Sequence, residues 1–416
     1  MAQDSSPRVA YLVGRYPAIP HTFILREIEA LRDLGVQVET FSIWRTGPDQ
    51  HLGAAERAEA ANTHSFLPLR RRRAIRCHLA AMAASPAGYM RLWRRALRIS
   101  RPGARGVYLA LSWAVEAPML WYELRARGIR HVHAHLPGTA PSVAMLATGL
   151  ANAAEASGRH TWSLTVHGPS EFYDVHNQAV GPKVEAADFA VAISDFGRSQ
   201  LMGLVGDDHW DKLHVVHCGV RPERYEQRSH AAASDGPVRL LTVGRLAPVK
   251  GQALLLAAVR ELRSEGVDVV LTVIGDGPKR DALEDAGRKL GLDQAVEFAG
   301  AIGQDEIARY YLGADIYVHP SFAEGVPVVI MEAMAHALPV VAAGVMGVRE
   351  LVHDGENGLV VRPGRKDELV DAVRRLAGDP SERARMGQSG RRTVEAEFDV
   401  KGSAQLLRDL FTSPAS

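Results

Sequence analysis

Two carboxylates close together in the chain carry the most chemical information. Glu324 and Glu332 lie eight positions apart (332 − 324) in the run Ser321-Phe-Ala-Glu-Gly-Val-Pro-Val-Val-Ile-Met-Glu332. The first sits on a Gly-containing loop just before Pro327, and the second falls one to two turns into the helix expected next. Upstream, Ile316-Tyr-Val-His-Pro320 reads as a buried strand. Pro327 suits the first turn of the following helix, where its missing N–H costs nothing. A strand, a tight loop and a helix N-terminus together aim free backbone N–H groups at an anion, and a diphosphate fits such a place. Acids on either side can hold the flanking hydroxyls, which gives the outline of a sugar nucleotide: sugar, two phosphates, ribose.

Arg245 and Lys250 offer the matching charge. They follow a strand end and flank a turn containing Pro248 and Gly251. A guanidinium fork and an ammonium point charge neutralise a diphosphate. When a nucleoside diphosphate leaves, negative charge grows on its oxygens, and fixed cations stabilise that change. Many transferases use a metal held by Asp-x-Asp for this task; the sequence contains no Asp-x-Asp, so no metal and no other cofactor is expected. Standing alone, the Arg-x4-Lys spacing would read as two solvated cations.

His167 follows the apolar run Thr161 to Val166 and precedes Gly168, so it should project from a strand end; a satisfied core histidine is the competing reading. Gly14 either lets the backbone approach a phosphate or acceptor closely or is simply a turn glycine. His131, His133 and His135 alternate and share one face of a strand. No clustered Cys, Asp or Glu completes a metal site there, so they read as strand histidines, one of them touching the acceptor. Gly275-Asp-Gly277 resembles the start of a dinucleotide fingerprint, but Arg280 stands at the third glycine, leaving nicotinamide chemistry a weak alternative.

A basic segment is the second strong feature. Arg70 to Arg105 contains no Asp or Glu, while Arg70 to Arg73, Arg76, Arg91, Arg94, Arg95, Arg98 and Arg101 crowd together. On a helix, Arg91, Arg94, Arg95 and Arg98 share one face, with Met90, Trp93 and Leu97 opposite. A helix lying on an anionic membrane has this pattern, each surface Arg contributing about 1 kcal/mol. A solvated basic face whose apolar side packs on the domain has it too.

These groups need a scaffold. At 416 residues two domains are expected. A hydrophobic content of 46% with 23% charged residues is that of a soluble globular protein, and a net charge of +1 gives no reason to expect nucleic acid as a partner. Cys77 and Cys218 read as free thiols of a cytoplasmic protein. The N-terminus lacks a signal-peptide pattern, and the apolar stretch Val107 to Trp121 is broken by Glu116 and Pro118 and too short to span a bilayer. The expected location is the cytoplasm, peripheral on the inner face of the membrane if the basic helix binds there.

Strands are expected at Val9 to Val13, before a Gly14-containing loop, and at Val36 to Ile43, Thr161 to Val166 and Phe189 to Ser194. A helix lies between the first two, over Thr22 to Leu34. Ser229 to Pro237 reads as a linker. A second series follows at Val238 to Val243, Val267 to Ile274, Val296 to Phe298, Ile316 to His319, Pro339 to Ala343 and Gly358 to Val361. Strands alternating with helices argue for parallel sheets in both halves. Ligands of such sheets bind at the carboxyl ends of the strands.

The runs Gly244-Arg-Leu-Ala-Pro-Val-Lys-Gly251, Val273-Ile-Gly-Asp-Gly-Pro278 and Glu324 to Ala335 resemble the glycosyl transferases group 1 family (family 4), retaining enzymes of the GT-B fold. Thr22-Phe-Ile-Leu-Arg-Glu27, Val166-His-Gly-Pro-Ser-Glu171 and Val215-Val-His-Cys-Gly219 agree more weakly. The form of the two-glutamate motif is most similar to enzymes of bacterial exopolysaccharide synthesis, of the colanic acid type. The resemblance covers most of the chain except about 45–128.

It implies an α/β protein with two Rossmann-like domains facing across a cleft. An acceptor-side domain would span 1–228, with a basic helical insert at about 45–128. A nucleotide-sugar domain would span 236–395, and a C-terminal helix within 396–416, near Ala404 to Leu410, would cross back to the first domain. It implies Glu324, His167, Arg245 and Lys250 as catalytic residues. Donor binding would fall to Gly14, Arg245, Lys250, Ile302, Glu324, Gly325, Val326, Val328, Val329 and Glu332. Within that set Glu332 takes the ribose, Ile302 the base, and His167 the donor sugar, with its backbone carbonyl near the anomeric carbon. Glu324 positions and stabilises rather than acting as a nucleophile of the glycosidase kind. The family usually has Gly where this chain has Pro327, so Val328 and Val329 must supply the phosphate-binding amides.

The implied activity is transfer of a sugar from a nucleoside-diphosphate sugar to a growing, lipid-linked bacterial polysaccharide, with retention, and with an anionic membrane surface as a further partner through Arg70 to Arg105. The alternatives are a GT-B epimerase or phosphorylase, for which acid/base carboxylates beside the anomeric centre or a pyridoxal-binding lysine are not seen, and a non-catalytic nucleotide-sugar-binding protein.

Overall fold

In the computed structural model, residues 7–18, 21–51, 53–136, 138–155, 158–228 and 236–412 are described. They form two compact units: Met1–His217 together with Ser403–Ser416, and Cys218–Gly402. The sequence places the division later, at a linker over 229–237; residues 229–235 lie outside the described residues.

The first unit holds a seven-stranded sheet in the order β3-β2-β1-β4-β5-β6-β7. Its strands are β1 (Arg8–Arg15), β2 (Gln37–Trp44), β3 (His64–Leu67), β4 (His131–His135), β5 (Thr161–Val166), β6 (Phe189–Ala192) and β7 (Leu213–Val215). Every ladder is parallel. Strand alternation gives the sheet two different faces. Ala10, Leu12, Val132, Ala134, Leu164 and Val166 enter an apolar core shared with the helices Ala104–Arg127 and Thr139–Ala154. Tyr11, His133, Ser163 and Thr165 lie on the other face. Phe411 of the helix Val400–Thr412 covers that layer, with its ring 5.2 Å from His131 and 5.4 Å from His133.

The segment expected to be a helical insert is not wholly helical, because it contributes β3, the edge strand. The helices Arg71–Ala84 and Pro86–Arg98 follow it. Helix 86–98 is capped at its start by Ser85, whose Oγ accepts from Gly88 N at 3.1 Å. It buries Gly88, Leu92 and Ala96. Of the apolar residues opposite the arginines, Trp93 packs against the core, while Met90 and Leu97 are 52% and 48% exposed, so that side is only partly covered by the domain. The helix has three faces where periodicity suggested two: a buried stripe, an arginine stripe and an exposed apolar stripe.

The second unit holds a six-stranded parallel sheet in the order β10-β9-β8-β11-β12-β13. Its strands are β8 (Val238–Val243), β9 (Val269–Ile274), β10 (Val296–Gly300), β11 (Ile316–His319), β12 (Val340–Ala343) and β13 (Gly358–Val361). These apolar runs pack against Leu255, Leu256, Val259, Leu369 and Val373 of the helices Gln252–Ser264 and Lys366–Gly378. In each sheet the chain works outward from one central strand and then restarts beside it. The reversals fall at β1/β4 and β8/β11, the switch points where open parallel sheets leave a crevice beyond their strand ends.

Candidate donor site at the second switch point

The loops leaving β8 and β11 are joined by their own backbone. Gly251 has φ +68, and a Cβ there would collide with the carbonyl of Pro320, so only glycine lets the first loop rest on the start of the second. Phe322 N donates to Val249 O at 2.7 Å and Ser321 Oγ to the same oxygen at 3.0 Å. The third loop is fastened in the same manner. Gly275 and Gly277 both have positive φ, and side chains on them would strike the main chain of Gly244 and Leu246. Gly244 N donates to Ile274 O at 2.9 Å, and Leu246 N to Asp276 O at 3.0 Å. The incomplete dinucleotide fingerprint is thus a loop-to-loop seam.

This frame brings Lys250 and Glu324 together across 74 residues of sequence, with Nζ donating to Oε1 at 2.6 Å. His319, at the end of β11, places Nε2 2.8 Å from the same oxygen. A carboxylate can only accept, so this nitrogen carries the proton. Glu324 is 7% exposed. Burial alone would raise its pKa, but the charges and hydrogen bonds of His319 and Lys250 outweigh burial and hold the carboxyl at about 2. It is ionised at neutral pH. Arg245 is exposed on the loop after β8, and among the described residues no acid lies in ion-pair reach of its guanidinium.

The helix Val328–Ala335 starts one residue later than expected. Pro327 is its N-cap, with ψ 115, rather than a first-turn residue. No side chain caps this helix, which leaves the first-turn amides of the half-buried Val328 and Val329 to an external acceptor. Glu332 is 2% exposed and receives a hydrogen bond from the Tyr311 hydroxyl at 3.0 Å. Gly325 is half-buried and Val326 buried, both beside Gly347. Ile302 is half-buried on the loop after β10.

Gly14 and His167 belong to the first unit. Gly14 lies within β1 rather than in a loop, and no atom lies within 4 Å of where its Cβ would be, so open space and not a turn marks this glycine. His167 Nε2 is 2.9 Å from His135 Nδ1, and its ring stacks on His135 and packs on Phe23, with centroids 5.1 Å and 4.6 Å apart. Glu171 Oε2 accepts from the backbone N–H groups of His167 at 2.6 Å and Gly168 at 2.9 Å. Burial raises the Glu171 pKa to about 7, with those two amides opposing.

His133 sits between Ser163 Oγ at 2.7 Å and Thr165 Oγ1 at 2.9 Å. Burial lowers His131 to about 3, and burial with neighbouring imidazoles holds His133 and His167 well below the usual range. One expectation needs correction: an acid does join these histidines. Glu27, from the helix Thr22–Asp33, lies 3.2 Å from His135 Nε2 and accepts from the Tyr11 hydroxyl at 2.8 Å. The ligand atoms of Glu27, His133 and His135 all lie within 4.8 Å of one another. Both His133 ring nitrogens already face hydroxyls, so the cluster is read as a hydrogen-bonded layer.

Sequence reasoning did not single out His319, Tyr311, Tyr11 or Glu27 as site residues. His319 carried a usable signal, because it is the last residue of an apolar strand. The other three gave none until the fold brought distant segments together.

Residues 223–393 match the family model described as Glycosyl transferases group 1. The chain is 34% identical over 188 residues to alpha-D-kanosaminyltransferase of Streptomyces kanamyceticus, covering 45% of this chain and 48% of that protein. It is 32% identical over 195 residues to the amylovoran biosynthesis glycosyltransferase AmsK of Erwinia amylovora, with the same shares covered. The chain therefore spans about half the length of the curated relatives it matches. Among solved structures, sucrose-phosphate synthase from Thermosynechococcus elongatus superposes with a TM-score of 0.73 at 20% identity, covering 98% of this chain and 100% of that one. Anabaena HepE in complex with UDP and glucose gives 0.71 at 19%, covering 98% and 99%.

Proposed function

Taking the chain as one with a glycosyl transferases group 1 domain on a GT-B fold, we propose that it is a retaining glycosyltransferase. It moves a sugar from a nucleoside-diphosphate sugar to a growing, lipid-linked bacterial polysaccharide. The observation that carries this reading is the contact of Lys250 with Glu324 at 2.6 Å, at the switch point of the second sheet.

The assigned roles follow from position and charge. Lys250 and Arg245 neutralise the diphosphate and take up the charge that grows as it leaves. The amides of Val328 and Val329 bind its oxygens, since Pro327 has no N–H to give. Glu324, ionised and fixed by His319, stabilises positive charge developing on the donor sugar during same-face attack. Glu332 takes the ribose and Ile302 the base. His167 and Gly14 are assigned to the sugar and acceptor on the first unit. With two cations and a helix terminus available, the reaction is proposed to proceed without metal.

HepE, a structural neighbour, binds UDP and glucose, so UDP-sugars are the first donors to try. AmsK, named for amylovoran biosynthesis, supports a polysaccharide acceptor; other relatives are named as D-inositol 3-phosphate glycosyltransferases. Among the described residues no helix is long and apolar enough to cross a membrane. The exposed Ile75, Leu79 and Met82 on helix 71–84, and Met90 and Leu97 on helix 86–98 with the exposed Arg91, Arg94, Arg95 and Arg98, support peripheral attachment to an anionic surface.

The test is a thermal-shift screen against UDP, GDP and their sugars, followed by donor hydrolysis with and without EDTA in the native chain and Lys250→Ala. Stabilisation by a nucleotide, with EDTA-resistant turnover that Lys250→Ala abolishes, is expected. Stabilisation with no turnover under any condition would favour a non-catalytic binding protein.

A further inference from the structure

A cavity of about 660 Å³ opens between the helices Pro86–Arg98 and Thr139–Ala154. Its wall carries Arg91, Arg94, Arg95 and Arg98, and its floor is apolar, made by Leu92, Met145, Leu146 and Leu150. This size falls within the range of small-ligand sites. No acid lines it, and no Asp or Glu occurs anywhere from Arg70 to Arg105. Two arginines of the same basic segment are neutralised: Arg73 pairs with Glu123, and Arg101 with Asp174 at 2.9 Å. Among the described residues none of the four cavity arginines has an ion-pair or hydrogen-bond partner for its side chain.

Four guanidiniums line one hollow with no acid among them, so an anion that enters meets positive charge without a competing carboxylate. Arg95 is the one of the four that is partly withdrawn from water. Its residue reaches the surface, yet its guanidinium is withdrawn far enough from water that burial lowers its pKa, with no acid to oppose this. Planar forks bind phosphate oxygens bidentately, whereas the floor beneath offers nothing polar to a fully hydrophilic ligand. The exposed Met90 and Leu97 continue apolar surface around the same helix.

From this arrangement we infer that the cavity between helices 86–98 and 139–154 is a binding site for a single phosphate-headed amphiphile, the four arginines taking the phosphate and the floor taking the start of the apolar chain. The site shares no residue with the donor-binding loops and does not depend on the transfer reaction. It turns a general attraction to anionic surface into a saturable, one-to-one interaction.

Gly149 provides the discriminating variant. It is exposed on helix 139–154 and lines the cavity, and a Cβ there would meet only Arg95 Nη1, at 3.8 Å. Gly149→Phe therefore plugs the hollow without altering any charge. Binding is read by calorimetry on the full chain. The probes are dihexanoyl phosphatidic acid below its micelle concentration, dihexanoyl phosphatidylcholine, and inorganic pyrophosphate. Expected are one-site binding of the phosphatidic acid, none of the phosphatidylcholine, and at least about tenfold weakening in both Gly149→Phe and an Arg95→Gln/Arg98→Gln pair.

Unchanged affinity in Gly149→Phe would show charge attraction at the open surface and overturn the site. Absence of saturable phosphatidic acid binding would do the same. Pyrophosphate binding as tightly as the lipid, and weakened to the same extent in Gly149→Phe, would assign the hollow to soluble phosphates and overturn the amphiphile; pyrophosphate binding that Gly149→Phe leaves unchanged belongs to the donor loops. Should Gly149→Phe fail to fold, Gly149→Leu asks the same question with a smaller plug. Donor hydrolysis is expected to be unchanged in Gly149→Phe, so loss of lipid binding can be told apart from failure of the catalytic reading.

Discussion

The two switch points are built from the same topology and filled with opposite chemistry. In the second sheet the strand-end loops bring Lys250 against the ionised Glu324, with Arg245 exposed on the loop after β8. In the first sheet the comparable layer is made of imidazoles and hydroxyls, His131, His133 and His135 against Thr161, Ser163 and Thr165, with His131 and His133 held neutral by burial. A charged crevice suits an anion such as a diphosphate. The neutral layer is internally paired and covered by Phe411. One architecture can thus carry charged groups in one unit and neutral polar groups in the other.

The sharpest way to break this contrast is at the ammonium. Lys250→Met should reduce donor turnover by roughly 10³-fold, since it removes a fixed cation from the leaving diphosphate and leaves Glu324 buried beside His319 alone. On the other side, His167→Ala should cost less, roughly 10- to 100-fold, because it removes a neutral hydrogen-bonding group. If the two losses are equal by initial-rate assay, the contrast fails.

Next in size are two pH effects of opposite sign. The Glu324 carboxyl is held at about 2, below its ordinary value, so its contribution to stability is present above about pH 4.5 and is lost as pH falls toward 2. The Glu171 carboxyl is raised to about 7, so it costs stability as pH rises from about 4.5 to 7. Each effect is on the order of 3 kcal/mol, for shifts of this size in buried groups. Melting temperatures across pH 2 to 8 should show Glu324→Gln flattening the acid limb and Glu171→Gln flattening the neutral one. Matching slopes in the two variants would contradict the assignment.

The smallest effect sharpens the ribose side. Tyr311→Phe removes one hydrogen bond to Glu332, about 1 kcal/mol, and should weaken nucleotide affinity roughly fivefold by calorimetry while turnover at saturation persists.

Most of the scaffold could be read from the chain. The apolar runs at Thr161–Val166, Val238–Val243 and Ile316–His319 are strands with those bounds, because a central parallel strand is buried on both faces and needs continuous apolar sequence; the edge strand Gly358–Val361 also has the expected bounds. Glu324 and Lys250 were each legible from local context. Their contact was not, since it depends on β8 and β11 being neighbours in the sheet. Glu27 was hidden for the same reason: a helix near the start of the chain reaches histidines that follow it by more than a hundred positions (135 − 27 = 108). Helix 86–98 misled differently. Periodicity finds an apolar side but does not say which apolar side is covered, and here Leu92 is buried while Leu97 faces water.

The glycine seam between the loops after β8 and β9 has a consequence for how such a site can diversify. Its walls there are main chain packed on main chain, with Gly275 and Gly277 tolerating no side chain. Substitution in the wall displaces the whole rim and retunes nothing. Variation at this site is therefore open to the side chains mounted on that rim, such as Arg245 and Ile302, and closed to the glycines that join the loops.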